Sequence, residues 1–116
     1  MTPEILIEKL SSEPLNVEFS EVMNIIDAFY DYQPTAFTNG DLQNPAGQNE
    51  GSCKIFAFAM LNGLTQAQTL ACFGRYYRED VLPHPNASDH GNIRNFIQHG
   101  WDGIELHGQA LTQKSP

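Results

Sequence analysis

The chain has 116 residues, 41% of them apolar and 10% aromatic, and a net charge of −8, which describes one globular domain with a real core and excludes the disordered class. No stretch nears the roughly 20 apolar residues of a membrane span, and MTPEILIEKL lacks the basic region and cleavage site of a secretory signal. Residues 1–50 hold nine acids against Lys9 alone, while residues 51–116 hold five acids and five bases; the N-terminal half therefore repels a phosphate backbone, which argues against nucleic acid as a partner.

In chain order, Thr2 and Pro3 make an N-cap followed by proline at the first helical position. They predict a helix to about Leu10, broken by Ser11–Pro14. A second helix is predicted over Val17–Asp31, with Phe19, Val22, Met23, Ile26, Phe29 and Tyr30 on its inner face. Gln33-Pro34 ends it, because proline cannot donate and forces its predecessor into extended backbone. Thr35–Thr38 reads as a short strand closed by the turn pair Asn39-Gly40, and Leu42–Gly51 reads as loop. Ser52 is the predicted cap of a helix over Cys53–Leu61, apolar nearly all round and therefore central; Asn62-Gly63 stops it.

Thr65 and Gln68 form a capping box for a helix running to about Val81, with Ala67, Leu70, Ala71, Gly74, Tyr77 and Val81 on one face. After the rigid Pro83–Asn86 loop, Ser88 or Asp89 caps a helix over His90–His99. Its inner face is Ile93, Phe96 and Ile97, with Asn92, Arg94 and Asn95 outward as a second polar surface. Gly103–His107 alternates like a strand, and its pairing partner is the segment near Ala36-Phe37. The expected fold class is α+β: a helix-rich single domain over residues 1–116, with about four to five helices and a small two- or three-stranded sheet.

Cys53 and Cys72 are too few for a disulfide framework and read as reduced, buried thiols of a cytosolic protein. The runs FYDYQPTAFTNG, NPAGQNEGSCKIFAFA, TLACFGRYYREDVL and DHGNIRNFIQHGW, in this order and spacing, resemble the HopJ family of small bacterial proteins across about residues 17–111. The resemblance implies a relative of a type III secretion effector and carries no catalytic residues with it. The acids Glu4, Glu8, Glu13 and Glu18 in a helix-forming start are unlike a disordered, Ser-rich secretion signal, so residence in the bacterial cytoplasm is expected.

Three constellations could carry chemistry. Cys53, placed at the start of a buried helix, could be a thiolate nucleophile, with Gln48 as an oxyanion-hole amide and His90, oriented by Asp89, as its base. The text GQ…GSC…AF is similar to the nucleophile segment of papain-like proteases, but it has Lys54 in place of an aromatic and a shorter Gln-to-Cys spacing. The histidines His84, His90, His99 and His107 show no metal-ligand spacing, so no metal and no cofactor is expected. The third constellation is a polar cleft of Asn39, Asn44, Gln48 and Asn49, with the Arg94 guanidinium and an apolar wall from Trp101 or Tyr32. The favoured reading is a monomeric, non-catalytic binding domain for a protein partner or a small polar ligand. The alternative is a small cysteine-dependent hydrolase or transferase built on Cys53.

Overall fold

A computed structural model describes residues 1–114. Helix α1 (Pro3–Ser12) starts at Thr2, whose Oγ1 accepts from the Ile5 N–H at 3.3 Å, and buries Leu6 and Leu10. Helix α2 (Phe19–Phe29) starts two residues later than predicted, behind a capping box between Glu18 and Glu21. It buries Val22, Ile25 and Ile26, whereas Phe29 is exposed and Tyr30 has already entered strand β1 (Tyr30–Tyr32). The predicted inner face was therefore rotated at its C-terminal end, because the chain leaves the helix two residues early to pair with β5 (Leu111–Gln113). That strand lies at the polar end of the chain and carries no alternation long enough to announce itself.

The second sheet is antiparallel, in the order β3–β2–β4, from β2 (Phe37–Asn39), β3 (Leu42–Asn44) and β4 (Ile104–Leu106). The expected pairing holds: Phe37 faces Leu106 across β2 and β4. The expected loop at 42–51 does not hold at its start, since Gly40-Asp41 makes a two-residue hairpin that pairs Asn39 with Leu42. Gly40 sits at φ +61, the conformation a tight hairpin needs at its first central residue, and a Cβ there would overlap the His99 ring.

Helix α3 (Glu50–Asn62) is the core element, with Cys53 and the run Ile55 to Ala59 all buried. It begins three residues earlier than predicted, behind Asn49 instead of Ser52. It ends as predicted, with Gly63 left-handed and the Leu64 N–H donating to Ala59 O at 3.0 Å, a Schellman closure. Phe56 is the hub: its ring meets Phe37, Phe73, Phe96 and Trp101 at centroid distances of 5.9, 5.8, 5.1 and 6.3 Å. The aromatic cluster is core.

The capping box of α4 (Gln66–Ala71) forms between Thr65 and Gln68, but the helix does not reach Val81. Gly74 interrupts it at φ +58, its backbone pressed on the start of α2 so closely that a Cβ would lie 2.6 Å from the Phe19 nitrogen. The chain restarts as a π-helical turn, Tyr76–Val81, with Leu82 N–H donating to Tyr77 O at 2.9 Å. Arg78 holds this turn against α2 through Val17 O at 2.8 Å and Glu18 at 3.3 Å. Helix α5 (Gly91–His99) completes the layer, burying Ile93 and Phe96 while Ile97 stays exposed. No helix among the described residues is long and apolar enough to cross a membrane.

Gly74→Ala should destabilise the protein by more than ~1 kcal/mol, since it combines a strained φ with overlap on backbone; urea unfolding checks this, and an unchanged midpoint would refute the interruption.

Candidate functional site

The polar loop is built around a buried amide network. Asn39 Nδ2 donates to Asn92 O at 2.8 Å and to Asn92 Oδ1 at 3.0 Å. Asn92 Nδ2 donates to Asn44 Oδ1 at 2.9 Å, which also accepts from Asn49 Nδ2 at 2.7 Å. Asn39, Asn44 and Asn92 are 0, 2 and 6% exposed, so each group must find a partner inside the protein. Asn95 adds bonds to Asn39 O at 2.9 Å and Asp41 at 3.0 Å. Asn92 and Asn95 thus face the hairpin, Asn92 buried and Asn95 partly so. The two polar segments expected to be separate are one assembly, because α5 turns its polar side onto β2 and β3. Asn39 Oδ1 is the one member of this network left buried without a partner among the described residues.

This assembly sets two helix starts side by side. Asn49 precedes α3 at φ 52 and His90 precedes α5 at φ 53, the two non-glycine residues with positive φ among those described. Asn and His tolerate this region better than most residues. In that conformation neither side chain caps its helix. The predicted caps Ser52, Ser88 and Asp89 do not form. The first-turn residues Gly51 and Ser52 of α3 and Gly91, Asn92 and Ile93 of α5, whose N–H groups no helix can satisfy internally, line one cleft of about 500 Å³. Its polar lining includes Asn49, Ser52, His90 and Asn92, and Phe19, Leu42 and Tyr76 supply an apolar wall. Gly51 and Gly91 leave bare backbone there: a Cβ on Gly51 would come within 2.9 Å of the Phe19 ring.

The remaining sequence-predicted residues lie elsewhere. Gln48 is exposed in the turn that its own N–H closes on Pro45 O at 3.1 Å. Arg94 is wholly engaged beside the cleft, donating to Asp89 Oδ1 and Asp89 O at 2.6 Å each, to His84 O at 2.7 Å and to Asp80 O at 3.3 Å. It staples the 80–90 segment, and the guanidinium beside Asp89 holds that carboxyl below its ordinary range. Trp101 packs on Phe96 at 5.1 Å and on Phe56, a partly buried ring set against the core. His90 Nε2 lies 3.0 Å from Asp80 Oδ2 and 3.8 Å from Asp89 Oδ2, with its ring 5.3 Å from that of Tyr76.

Cys53 does not stand at the helix mouth. Its N–H is already in the helix ladder, donating to Asn49 O at 3.0 Å, and its thiol is sealed at 0% exposure, donating to Thr35 O at 3.5 Å. Burial pushes the thiol up, against the Thr35 bond that pulls it down. No hydrogen bond joins it to a histidine among the described residues. Its neighbour Tyr32 has a buried hydroxyl with no hydrogen-bond partner among the described residues, and burial with Cys53 and Glu50 alongside raises that phenol. The structure therefore gathers Asn49, His90 and Asn92, keeps Asn39 and Asn44 as their support, and separates Cys53, Gln48, Arg94 and Trp101 from the cleft. Phe19, Leu42, Ser52, Tyr76 and Asp80 were not foreseen; the pairs Gly51 after Asn49 and Gly91 after His90 are the sequence signal for them, since glycine there bares the helix start.

A family model described as HopJ type III effector protein matches residues 4–111. A crystal structure described as that of an unknown function protein, VPA0580, is similar throughout: 54% identity over 96% of this chain and 92% of that chain, with a TM-score of 0.94. No curated protein matches the chain.

Asn92→Ala takes one hydrogen bond from Asn39 and two from Asn44, although each of those groups keeps another partner, and should cost about 0.5–1.5 kcal/mol for each bond lost, read as a lower urea midpoint; Asn92→Asp should not restore it, because a carboxylate cannot donate to Asn44. The buried thiols predict an alkaline weakness. Burial pushes Cys72 up to about 12 and Cys53 upward as well, so above the ordinary thiol value near ~8.5 the unfolded chain sheds protons that the folded chain keeps. Stability should fall as pH rises beyond that value, and iodoacetamide should leave both cysteines of the folded protein unlabelled; a folded-state reaction at Cys53 would contradict its burial.

Proposed function

This chain belongs to the HopJ type III effector protein family, and from that premise we propose that it acts by binding a small polar ligand in the cleft between the starts of α3 and α5. The observation that carries this reading is the convergence of two uncapped helix starts on one pocket of about 500 Å³, a size that suits a small metabolite. Unpaired N–H groups and the positive ends of two helix dipoles favour an acceptor or an anion such as a carboxylate or phosphate. Phe19, Leu42 and Tyr76 offer an apolar face to the rest of the molecule.

The amide network supports the reading by fixing the relative position of the two helices, so the pocket exists before the ligand arrives. The alternative cysteine-dependent hydrolase has less support, because a thiol at 0% exposure cannot meet a substrate without the core opening. We place the protein in the bacterial cytoplasm. Two unbonded cysteines agree with a reducing compartment, and α1 is committed to the core through Leu6 and Leu10.

A thermal-shift series with inorganic phosphate, small carboxylates and phosphorylated metabolites should contain compounds that raise the melting temperature, since binding to the native state stabilises it. Leu42→Trp, which fills the cleft from its apolar wall, should abolish that rise while leaving the unliganded protein folded. A rise that survives Leu42→Trp, or no rise with any compound, would overturn the cleft as the binding site.

A further inference from the structure

The geometry points to chemistry in the same cleft: we propose that His90 is a general base toward a bound ester, with Asp80 as the residue that positions it. This rests on the cleft being a ligand site. His90 Nε2 is 3.0 Å from an Asp80 carboxylate oxygen, an atom that only accepts, so Nε2 keeps its proton in both charge states of the ring. Nδ1 is then the atom that takes up and releases a proton, and it makes no hydrogen bond to any described residue. Carboxylate, imidazole and open nitrogen are the orienting and base members of an acid–base pair.

The nearer-in-sequence acid, Asp89, does not serve: it stands 3.8 Å away and its carboxylate is bound by Arg94 at 2.6 Å. The charged groups about the imidazole are therefore Asp80, Asp89 and, through Asp89, Arg94. Asp80 and Tyr76 both come from the π-helical turn, a rare element that recurs at functional sites. Tyr76 packs against the imidazole with its ring tilted by 38°, and His90 is held in a left-handed backbone at φ 53. These features give His90 one orientation, in the lining of a cleft that also includes Ser52 and the glycines Gly51 and Gly91 at the two helix starts.

The step is hydrolysis. Nδ1 removes a proton from water as the water oxygen bonds to the acyl carbon, and the carbonyl electron pair moves onto its oxygen, facing the helix-start N–H groups. Collapse re-forms the carbonyl and breaks the bond to the alcohol oxygen. The departing alkoxide or phenolate takes up the proton, from the imidazolium or from solvent. One ester and one water yield one acid and one alcohol.

The test uses the full chain with p-nitrophenyl acetate. His84, His99 and His107 are present in every variant and set the background. Wild type should hydrolyse the ester with saturation, at least tenfold faster than His90→Gln. Asp80→Asn should lower kcat with KM little changed and shift the pH profile, and Asp80→Glu should recover part of the rate. Equal rates in wild type and His90→Gln would overturn the proposal. So would a burst of one p-nitrophenolate per chain, which would make the imidazole a nucleophile. Binding is followed separately by amide NMR with the non-labile analogue 4-nitroacetanilide. Shifts at Gly51, Gly91 and Asn92 without His90-dependent turnover would leave the cleft standing and remove the base, whereas no shifts and no turnover would remove both for this ligand class.

Discussion

The asparagine network joining Asn39, Asn44 and Asn92 is the interaction on which the site depends. Each of these side chains is withdrawn from water, and an amide placed there alone would carry a large desolvation cost. Together they satisfy most of their hydrogen-bonding capacity and lock the polar side of α5 to the β2–β3 hairpin. Asn49 extends the chain of bonds to the start of α3. A network of this kind specifies one arrangement, because any slip of α5 leaves several buried groups unpaired at once. That rigidity makes the cleft a fixed feature of the fold.

The core supplies the other half of the constraint. Helix α3 is buried nearly all round and holds Phe56 between the sheet residue Phe37 and the α5 residue Phe96. Its start can then point in only one direction, toward the start of α5. Gly74 contributes from a distance: by allowing α4 to end against the backbone of α2, it turns the following segment into the π-helical turn that presents Tyr76 and Asp80. Phe19, at the other side of that contact, becomes part of the cleft wall. The apolar wall and the polar wall thus come from chain segments with no sequence proximity.

Much of the architecture was legible along the chain because local chemistry decides it. The caps at Thr2, at the Thr65–Gln68 box and at Gly63 depend on residues within one turn of each other, and they stand where propensity places them. The pairing of the 104–106 strand with Phe37 followed from the lack of a competing alternating segment. The strands β3 and β5 were not legible, since three residues carry too little alternation to be told from loop. The same holds for Asn92 and Asn95. On a helical wheel they fall on the polar side, and whether a polar side faces water or another polar segment is decided by the partner.

The sequence by itself determined the class of the fold, the identity of the central helix, and the fact that the 39–51 segment holds more amides than a solvent loop needs. It could not determine where Cys53 points. A cysteine near a helix start is reactive or inert according to whether neighbouring elements cover it, and here the Thr35–Phe37 segment and the core do so. Nor could it pair His90 with Asp80 rather than Asp89. Adjacency in sequence favours Asp89, but Arg94 takes that carboxylate, and the π-helical turn brings Asp80 to the ring. Short-range chemistry is written residue by residue, whereas the burial of a thiol and the partner of an imidazole depend on elements that meet only when the whole chain has packed.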